Sequence, residues 1–335
     1  MSSEVEKLDK INQLYTDDRM KKTNTSQVSP LAGLFLGILA VSTASLFIRF
    51  AQGEAPSLVI AAGRMTGATL LLAPFALKGT IRDLRTIKTR TMLLIALAGL
   101  FLGLHFATWI TSLEYTSIAS SVVLVTTAPL WVALLSPVLL KEKVSPIVFI
   151  GLAVSLTGSV IVGLNSACSI KAGGFDCIAF SSMFTGRAFW GNLLALAGAF
   201  LSAGYLMVGR RVRNGISLTT YTFLVYGIAA LSLIVMIILT GTQIAAYSGN
   251  TWIWMVLLAV VPQLIGHSTF NYFLKELSAA FVSIALFGEP VWTVIFAYLF
   301  LHESPSFLEV VGGLLILTGI AIATVSNGRR KEITV

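Results

Sequence analysis

Two stretches decide how this chain folds: residues 117–140, SIASSVVLVTTAPLWVALLSPVLL, and residues 278–301, SAAFVSIALFGEPVWTVIFAYLFL. Both are uncharged over most of their length and carry a Pro near the middle. A helix rises about 1.5 Å per residue and a hydrocarbon core is about 30 Å thick, so about 20 apolar residues make a span. The runs are continuous rather than alternating, which favours helices over a barrel. The stretches also match each other. A shift of 161 residues lays 113–161 on 274–322 without a gap, and Pro129, Trp131, Glu142, Thr157 and Gly158 meet Pro290, Trp292, Glu303, Thr318 and Gly319.

The rest of the chain has the same character. Of its 335 residues 56% are hydrophobic and only 11% charged, against about 25% charged in a soluble domain. This excludes a water-soluble enzyme, a disordered regulator and a nucleic-acid-binding domain. Ten spans are expected: 30–51, 56–77, 91–111, 117–140, 145–164, 189–209, 217–240, 251–273, 278–301 and 305–326. The fold class is all-α integral membrane, with ten transmembrane helices as two inverted five-helix repeats. The organisation expected is a charged cytoplasmic tail (1–29), a first repeat (30–164), an extracytoplasmic loop (165–188), a second repeat (189–326) and a cytoplasmic tail (327–335). The polar start lacks the apolar core of a cleaved signal peptide.

Cytoplasmic loops carry excess Lys and Arg. With the N-terminus inside, 19 Lys and Arg fall in inside segments and only Lys171 and Arg187 outside. That asymmetry explains the net charge of +8, puts both termini in the cytoplasm, and places the protein across the plasma (inner) membrane. An odd number of spans per repeat inserts the second copy upside down, so matched loops should exchange charge. They do: Glu114 meets Lys275, and Lys141 and Lys143 meet His302 and Ser304. Two such halves give a physical route to alternating access.

At this point the residues resemble a family. TSIASSVVLVTTAPLWVALLSPVLLKE and SAAFVSIALFGEPVWTVIFAYLFLHE look like the small-residue run, mid-helix Pro and closing Glu of the drug/metabolite transporter superfamily, EamA type. Arg64, and Glu289 before Pro290, also stand where such proteins often carry them. The resemblance covers about 30–326. It implies a ten-span inverted-repeat fold, a central cavity, and export of metabolites or amphipathic compounds, without naming the substrate. The charged N-terminal tail and the cysteine-bearing loop depart from the pattern.

Titratable groups inside a bilayer are costly and usually face a cavity or a partner. Arg64 suits a clamp on a substrate carboxylate, and equally a structural ion pair. Glu289, beside a helix-breaking Pro, suits proton coupling, or a paired carboxyl that joins helices. His105 and His267 occupy nearly equivalent places, and histidine exchanges protons near neutral pH; both also fit helix packing. Trp109 follows His105, and Asn271 follows His267, by one helical turn, while Gln263 precedes His267 by one, so these share a face. Trp131, Tyr205 and Trp292 join Arg64, His105, Trp109, Gln263, His267 and Asn271 as candidate substrate-binding residues. Glu289, His105 and His267 are the candidates for proton coupling. Pro129, Pro262 and Pro290 remove backbone donors mid-span and are candidate kinks or gates. Arg49, near a span end, reads as a residue that snorkels to the interface. Cys168 and Cys177 share the outside loop, where a disulfide and two free thiols are both open.

The functional expectation is a secondary transporter, an exporter by alternating access, for small metabolites or amphipathic solutes (amino-acid-like or drug-like), with protons as the candidate coupling ion. A passive facilitator is the alternative on the same fold. An integral-membrane lipid enzyme is disfavoured: there is no HExxH helix, no Gly-x-Gly-Asp pair and no Asp in any span. No Walker-type loop, cofactor motif or metal-ligand cluster is present. The expected partners are a small-molecule substrate, protons and membrane lipid, with no nucleic acid.

Overall fold

Lipid-facing helices gain little from burying apolar surface against one another, so close backbone approach through small residues has to hold them together. The computed structural model describes residues 30–139, 146–164, 168–171, 174–177, 186–213, 215–275, 282, 286 and 288–332. The expectations for the N-terminal tail and for the basic loop around Lys141 lie outside the described residues.

The described chain is helical apart from one short hairpin. In order the elements are α1 (Pro30–Ser42), α2 (Ala44–Ala51), α3 (Ser57–Leu84), α4 (Thr89–Tyr115), α5 (Ile118–Val125), α6 (Ala128–Leu139) and α7 (Pro146–Leu164). The strands β1 (Cys168–Lys171) and β2 (Gly174–Cys177) follow, paired antiparallel as a short hairpin. Then come α8 (Arg187–Arg213), α9 (Leu218–Thr240), α10 (Gly249–Leu258), a π-helical segment (Ala259–His267), α11 (Ser268–Phe273), α12 (Gly288–Leu301) and α13 (Phe307–Glu332).

Local chemistry sets several of these ends. Ser117, Ser217 and Ser248 cap α5, α9 and α10, each accepting from the backbone N–H three residues on, the role that a short hydroxyl side chain fills best. Gly241 ends α9 at φ 63°, a left-handed turn that costs glycine nothing. Several helices outrun the expected apolar runs. The third continues past 77 to Leu84 and the last past 326 to Glu332, because charged residues such as Lys78 and Arg82 leave the hydrocarbon without ending the helix. The hairpin, a strand element no apolar run foretold, sits in the segment linking α7 to α8.

Seven helical stretches are long and apolar enough to cross a bilayer: Ala32–Ala51, Ser57–Leu84, Thr89–Tyr115, Ile118–Leu135, Arg187–Arg213, Leu218–Thr240 and Gly249–Phe273. Three shorter apolar helices, Phe149–Val162, Gly288–Leu301 and Phe307–Gly319, accompany them. Large apolar side chains such as Phe75, Val138, Ile238 and Leu239 face outward, while Ala61, Ala68, Ala98, Ala199 and Ala203 lie inside. That distribution is the reverse of a soluble core and fits lipid as the solvent.

The main helix pairs are α3 with α9, α4 with α8, α7 with α13, and the π segment with α1. The α7–α13 crossing is backbone against backbone. A methyl group on Gly158 would lie 2.5 Å from the Gly312 carbonyl oxygen, and one on Gly312 would lie 2.7 Å from that of Gly158. Gly319 meets the Gly151 carbonyl in the same way, and Ser155 Oγ donates to the Ile316 carbonyl at 3.1 Å. Side chains cannot enter this crossing without separating the helices. Gly158→Leu is therefore expected to cost about 1–3 kcal/mol or more and to lower the unfolding temperature of detergent-solubilised protein. Gly79→Ala, at a position with no atom within 4 Å, is expected to leave that temperature unchanged.

Candidate functional site

Several helices break within their apolar runs. The fourth apolar run stops at Val125 and restarts at Ala128; Thr126 and Thr127 turn their hydroxyls back onto carbonyls of the preceding turn. Pro129, at the second position of α6, needs no intrahelical donor there. Its counterpart Pro290 likewise stands in the first turn of α12, after Glu289. The first run breaks at Thr43, whose hydroxyl donates to the Ala40 carbonyl at 2.8 Å. Next to that break Ser42 donates to the Glu289 carbonyl and accepts, through its own carbonyl, from Thr293. Between α10 and α11 the chain widens into the π segment, which contains Pro262, Gln263 and His267. Such wide turns recur at functional sites because they re-aim side chains and free carbonyls.

These breaks surround a cavity. Arg64, His105, Trp109, Thr126, Pro129, Ser202, His267 and Glu289 line it, with Val41, Ala44, Val125, Ala128 and Leu286 as apolar wall. Both halves of the chain contribute.

Arg64 is fully buried. Its Nε–H donates to Gln263 Oε1 at 2.9 Å, and Phe106 covers its face at 4.0 Å from the ring centre. Nη1 and Nη2 have no hydrogen-bond partner, nor do Gln263 Nε2 and Trp109 Nε1. His105 Nδ1 is 2.9 Å from the Gly198 carbonyl. A carbonyl only accepts, so Nδ1 carries the proton and Nε2 is left as the acceptor of a neutral ring. The imidazole stacks on Trp109 at 5.9 Å. His267 meets the edge of Phe106 at 5.4 Å.

The candidate residues thus divide. Arg64, His105, Trp109, His267, Glu289 and Pro129 come together at the cavity, and Gln263 stands one hydrogen bond behind it. Tyr205 and Asn271 do not line it: the Tyr205 hydroxyl donates to Asn271 Oδ1 at 2.6 Å, and Asn271 Nδ2 donates to the Tyr226 hydroxyl at 3.4 Å. Those residues form a buried network behind the cavity that touches Gln263, where the Tyr226 hydroxyl donates to the Gln263 carbonyl at 3.4 Å, and continues to Arg213, whose Nε–H donates to the Asn271 carbonyl at 3.0 Å. Asn271 lies beyond the wide segment, whose turns do not keep the α-helical period. Trp131 is also off the cavity, edge-on to Phe200, and Trp292 packs between Phe35 and Phe296. Pro262 and Pro290 shape the backbone without lining the cavity. Arg49 does not snorkel. It donates to the Leu113 and Thr116 carbonyls and pairs with Glu303 at 3.6 Å. Ser202 and Phe106 were not foreseen. Ser202 had a signal, a hydroxyl mid-span among small residues; Phe106 had none, because any apolar residue beside His105 reads as packing.

Gln263→Leu would remove the only acceptor on Arg64's Nε and leave the buried cation without a hydrogen bond. Loss of about 3–5 kcal/mol is expected, as for other broken buried pairs, read as a lowered unfolding temperature in detergent. Adding Arg64→Met to that variant should recover most of it.

The comparisons with known proteins agree with this architecture. The model of the EamA-like transporter family matches residues 29–164 and 189–325. An uncharacterized transporter of Archaeoglobus fulgidus is 24% identical over 292 residues, covering 87% of this chain and 95% of its own. The uncharacterized transporter YxxF of Bacillus subtilis is 25% identical, over 73% of this chain and 74% of its own. A solved crystal structure at 22% identity shares the fold, with a TM-score of 0.63 over 91% of this chain and 99% of that one. A multi-pass helical protein with a polar chamber between its halves, matched by that family over most of its length, is a carrier of small molecules and not an enzyme: the chain belongs to the EamA-like transporter family.

Proposed function

We propose that the chain is a secondary transporter that moves small metabolites or amphipathic solutes across the plasma membrane by alternating access, as an exporter, with Glu289, His105 and His267 as its proton-handling groups. The observation that carries this reading is the cavity itself. Titratable groups in the middle of a bilayer are affordable only around a polar passage, and this one is lined from both halves of the chain.

In this reading the seven long and three shorter apolar helices make ten crossings, arranged as two inverted repeats. Three features support it. The main packed helix pairs correspond when the halves are exchanged: α4 with α8 becomes the π segment with α1, α4 with α9 becomes the π segment with α3, and α3 with α9, α7 with α13 and α5 with α12 each map onto themselves. Residues joined by the 161-residue shift touch each other, as Ser155 touches Ile316. Arginines joined by the same shift make the same bond: Arg49 Nη1 donates to the Leu113 carbonyl at 2.6 Å, and Arg210 Nη1 donates to the Leu274 carbonyl at 2.8 Å. Each caps the carbonyl end of a helix. With the N-terminus inside, the first cap lies at the outer face and the second at the cytoplasmic face, so the two ends of the passage are closed by equivalent devices. Repeats of this kind open one end by adopting at the other end the packing of its counterpart.

Flux of a panel of metabolites into proteoliposomes, with and without an imposed pH gradient, tests this. Gradient-stimulated flux that falls to the ungraded rate in Glu289→Gln is the expected result. Flux in the wild type that ignores the gradient would favour the passive facilitator instead.

A further inference from the structure

The buried side-chain atoms around the cavity that lack partners are all of one kind. Four buried polar atoms around it lack partners: Arg64 Nη1 and Nη2, Gln263 Nε2 and Trp109 Nε1. All four are donors. The amide of Gln263 is oriented by Arg64, because a guanidinium can only donate, so its oxygen is consumed and its NH₂ is left over. The unpartnered oxygens among the described residues, on Ser45, Gln52, Thr80 and Tyr221, belong to side chains that do not line the cavity. A buried cation with unmet donors is expensive; Glu289 shares the cavity, yet among the described residues no acceptor is hydrogen-bonded to the two ends of this fork.

Resting on the transporter reading above, we propose that the cavity binds a solute bearing a single carboxylate, held by the paired terminal nitrogens of Arg64. The fork geometry of guanidinium matches the two oxygens of a carboxylate. Trp109, which lines the cavity, brings a further unpartnered donor, Nε1, and Gln263 holds Arg64 from behind. Arg64 is the only Lys or Arg among the described lining residues, which suits one negative charge and not the two of a phosphate monoester. Both α6 and α12 start at the cavity, where Ala128, Pro129 and Glu289 lie, and helix N-termini add positive potential. Val41, Ala44, Val125, Ala128 and Leu286 accommodate an apolar body. Glu289 and the bare Nε2 of His105 are acceptors in the same chamber. They give an ammonium group a place, so a zwitterion and a simple carboxylate share the Arg64 clamp and differ at Glu289.

A matched series with one apolar body separates these terms: 3-phenylpropionate, phenylalanine, 3-phenylpropylamine and 3-phenylpropanol. Binding to the purified full-length protein is read by ligand-induced shift of the unfolding temperature and by calorimetry. The two carboxylates are expected to bind and the amine and alcohol are not. Arg64→Met should abolish carboxylate binding, and Arg64→Lys, which keeps the charge and loses the fork, should weaken it at least about tenfold. Gln263→Glu, which places a carboxylate beside Arg64, should weaken it comparably and serves if Arg64→Met does not fold. Phenylalanine, and not phenylpropionate, should lose affinity in Glu289→Gln if the zwitterion is the better ligand. Equal binding of the amine or alcohol, or carboxylate binding that survives both Arg64→Met and Gln263→Glu, would overturn the proposal. The same four compounds in proteoliposomes keep the two readings apart. Flux of uncharged or cationic solutes alone sinks the carboxylate site and spares transport, whereas carboxylate binding with no flux of any compound sinks transport and spares the site.

A second inference rests on the hairpin. Its register pairs Cys168 directly with Cys177, and its closing pair is Lys171 with Gly174. Hydrogen-bonded and non-hydrogen-bonded pairs alternate along an antiparallel ladder. Directly opposed residues of either kind have Cα atoms about 4.5–5.5 Å apart, within the span of a disulfide. We infer that these two residues, the chain's only cysteines, are joined. The two thiols give up two protons and two electrons to an external disulfide, which is reduced to two thiols as the new S–S bond forms. Maleimide labelling of denatured, unreduced protein taken from right-side-out vesicles should find no free thiol, and two after reduction. Two labelled thiols without reductant would overturn the assignment.

Discussion

Lipid offers no hydrogen bonds, and that constraint organises everything polar in this protein. Each backbone donor and acceptor inside the hydrocarbon has to be met by the chain itself. Where the helices are regular this is automatic. Where they break, at Thr43, at Thr126 and Thr127, and before Gly288, side-chain hydroxyls and neighbouring helices take up the freed groups. The ends of helices follow the same logic. The carbonyls after α4 receive Arg49, and those after α11 receive Arg210, while Ser117 and Ser120 at the start of α5 donate to Glu309. Against that background the terminal nitrogens of Arg64 stand out, because they alone among the cavity's charged groups are dry and unmet.

The packing and the chamber are two consequences of one composition. Small residues let α7 and α13 touch through their backbones, and the same economy of side chains between α4 and α8, where Gly198 lies against Thr108 and Trp109, leaves room for the broken helices to frame an interior. Large apolar residues are displaced to the lipid face. A bundle built this way is tight at its periphery and open at its centre.

Much of the architecture was legible in the amino-acid order. Continuous apolar runs declared helices, and the 161-residue correspondence laid 113–161, with Leu113 and Ser155 in it, on 274–322, with Leu274 and Ile316 in it. Helix ends were read too short because hydropathy falls at the headgroups, whereas hydrogen bonding continues through Lys78 and Arg82 to Leu84. The site was legible as a set of residue types but not as a shape. Periodicity put Gln263, His267 and Asn271 on one face, which assumes regular turns. The π segment between Ala259 and His267 breaks that assumption and sends Asn271 into the tyrosine network. Trp131 and Trp292 were drawn toward the centre by their place beside Pro129 and Pro290, yet their side chains point into aromatic clusters on the flanks. Nothing in a one-dimensional reading distinguishes the inward from the outward side of a break.

The contact of Ser155 with its own counterpart carries a geometric implication. In the inverted-repeat reading, a contact between counterparts straddles the pseudo-twofold axis. The glycine crossing of α7 and α13 that contains it contributes no residue to the cavity lining, so substitutions there alter how firmly the molecule is held together, while what it carries is decided elsewhere.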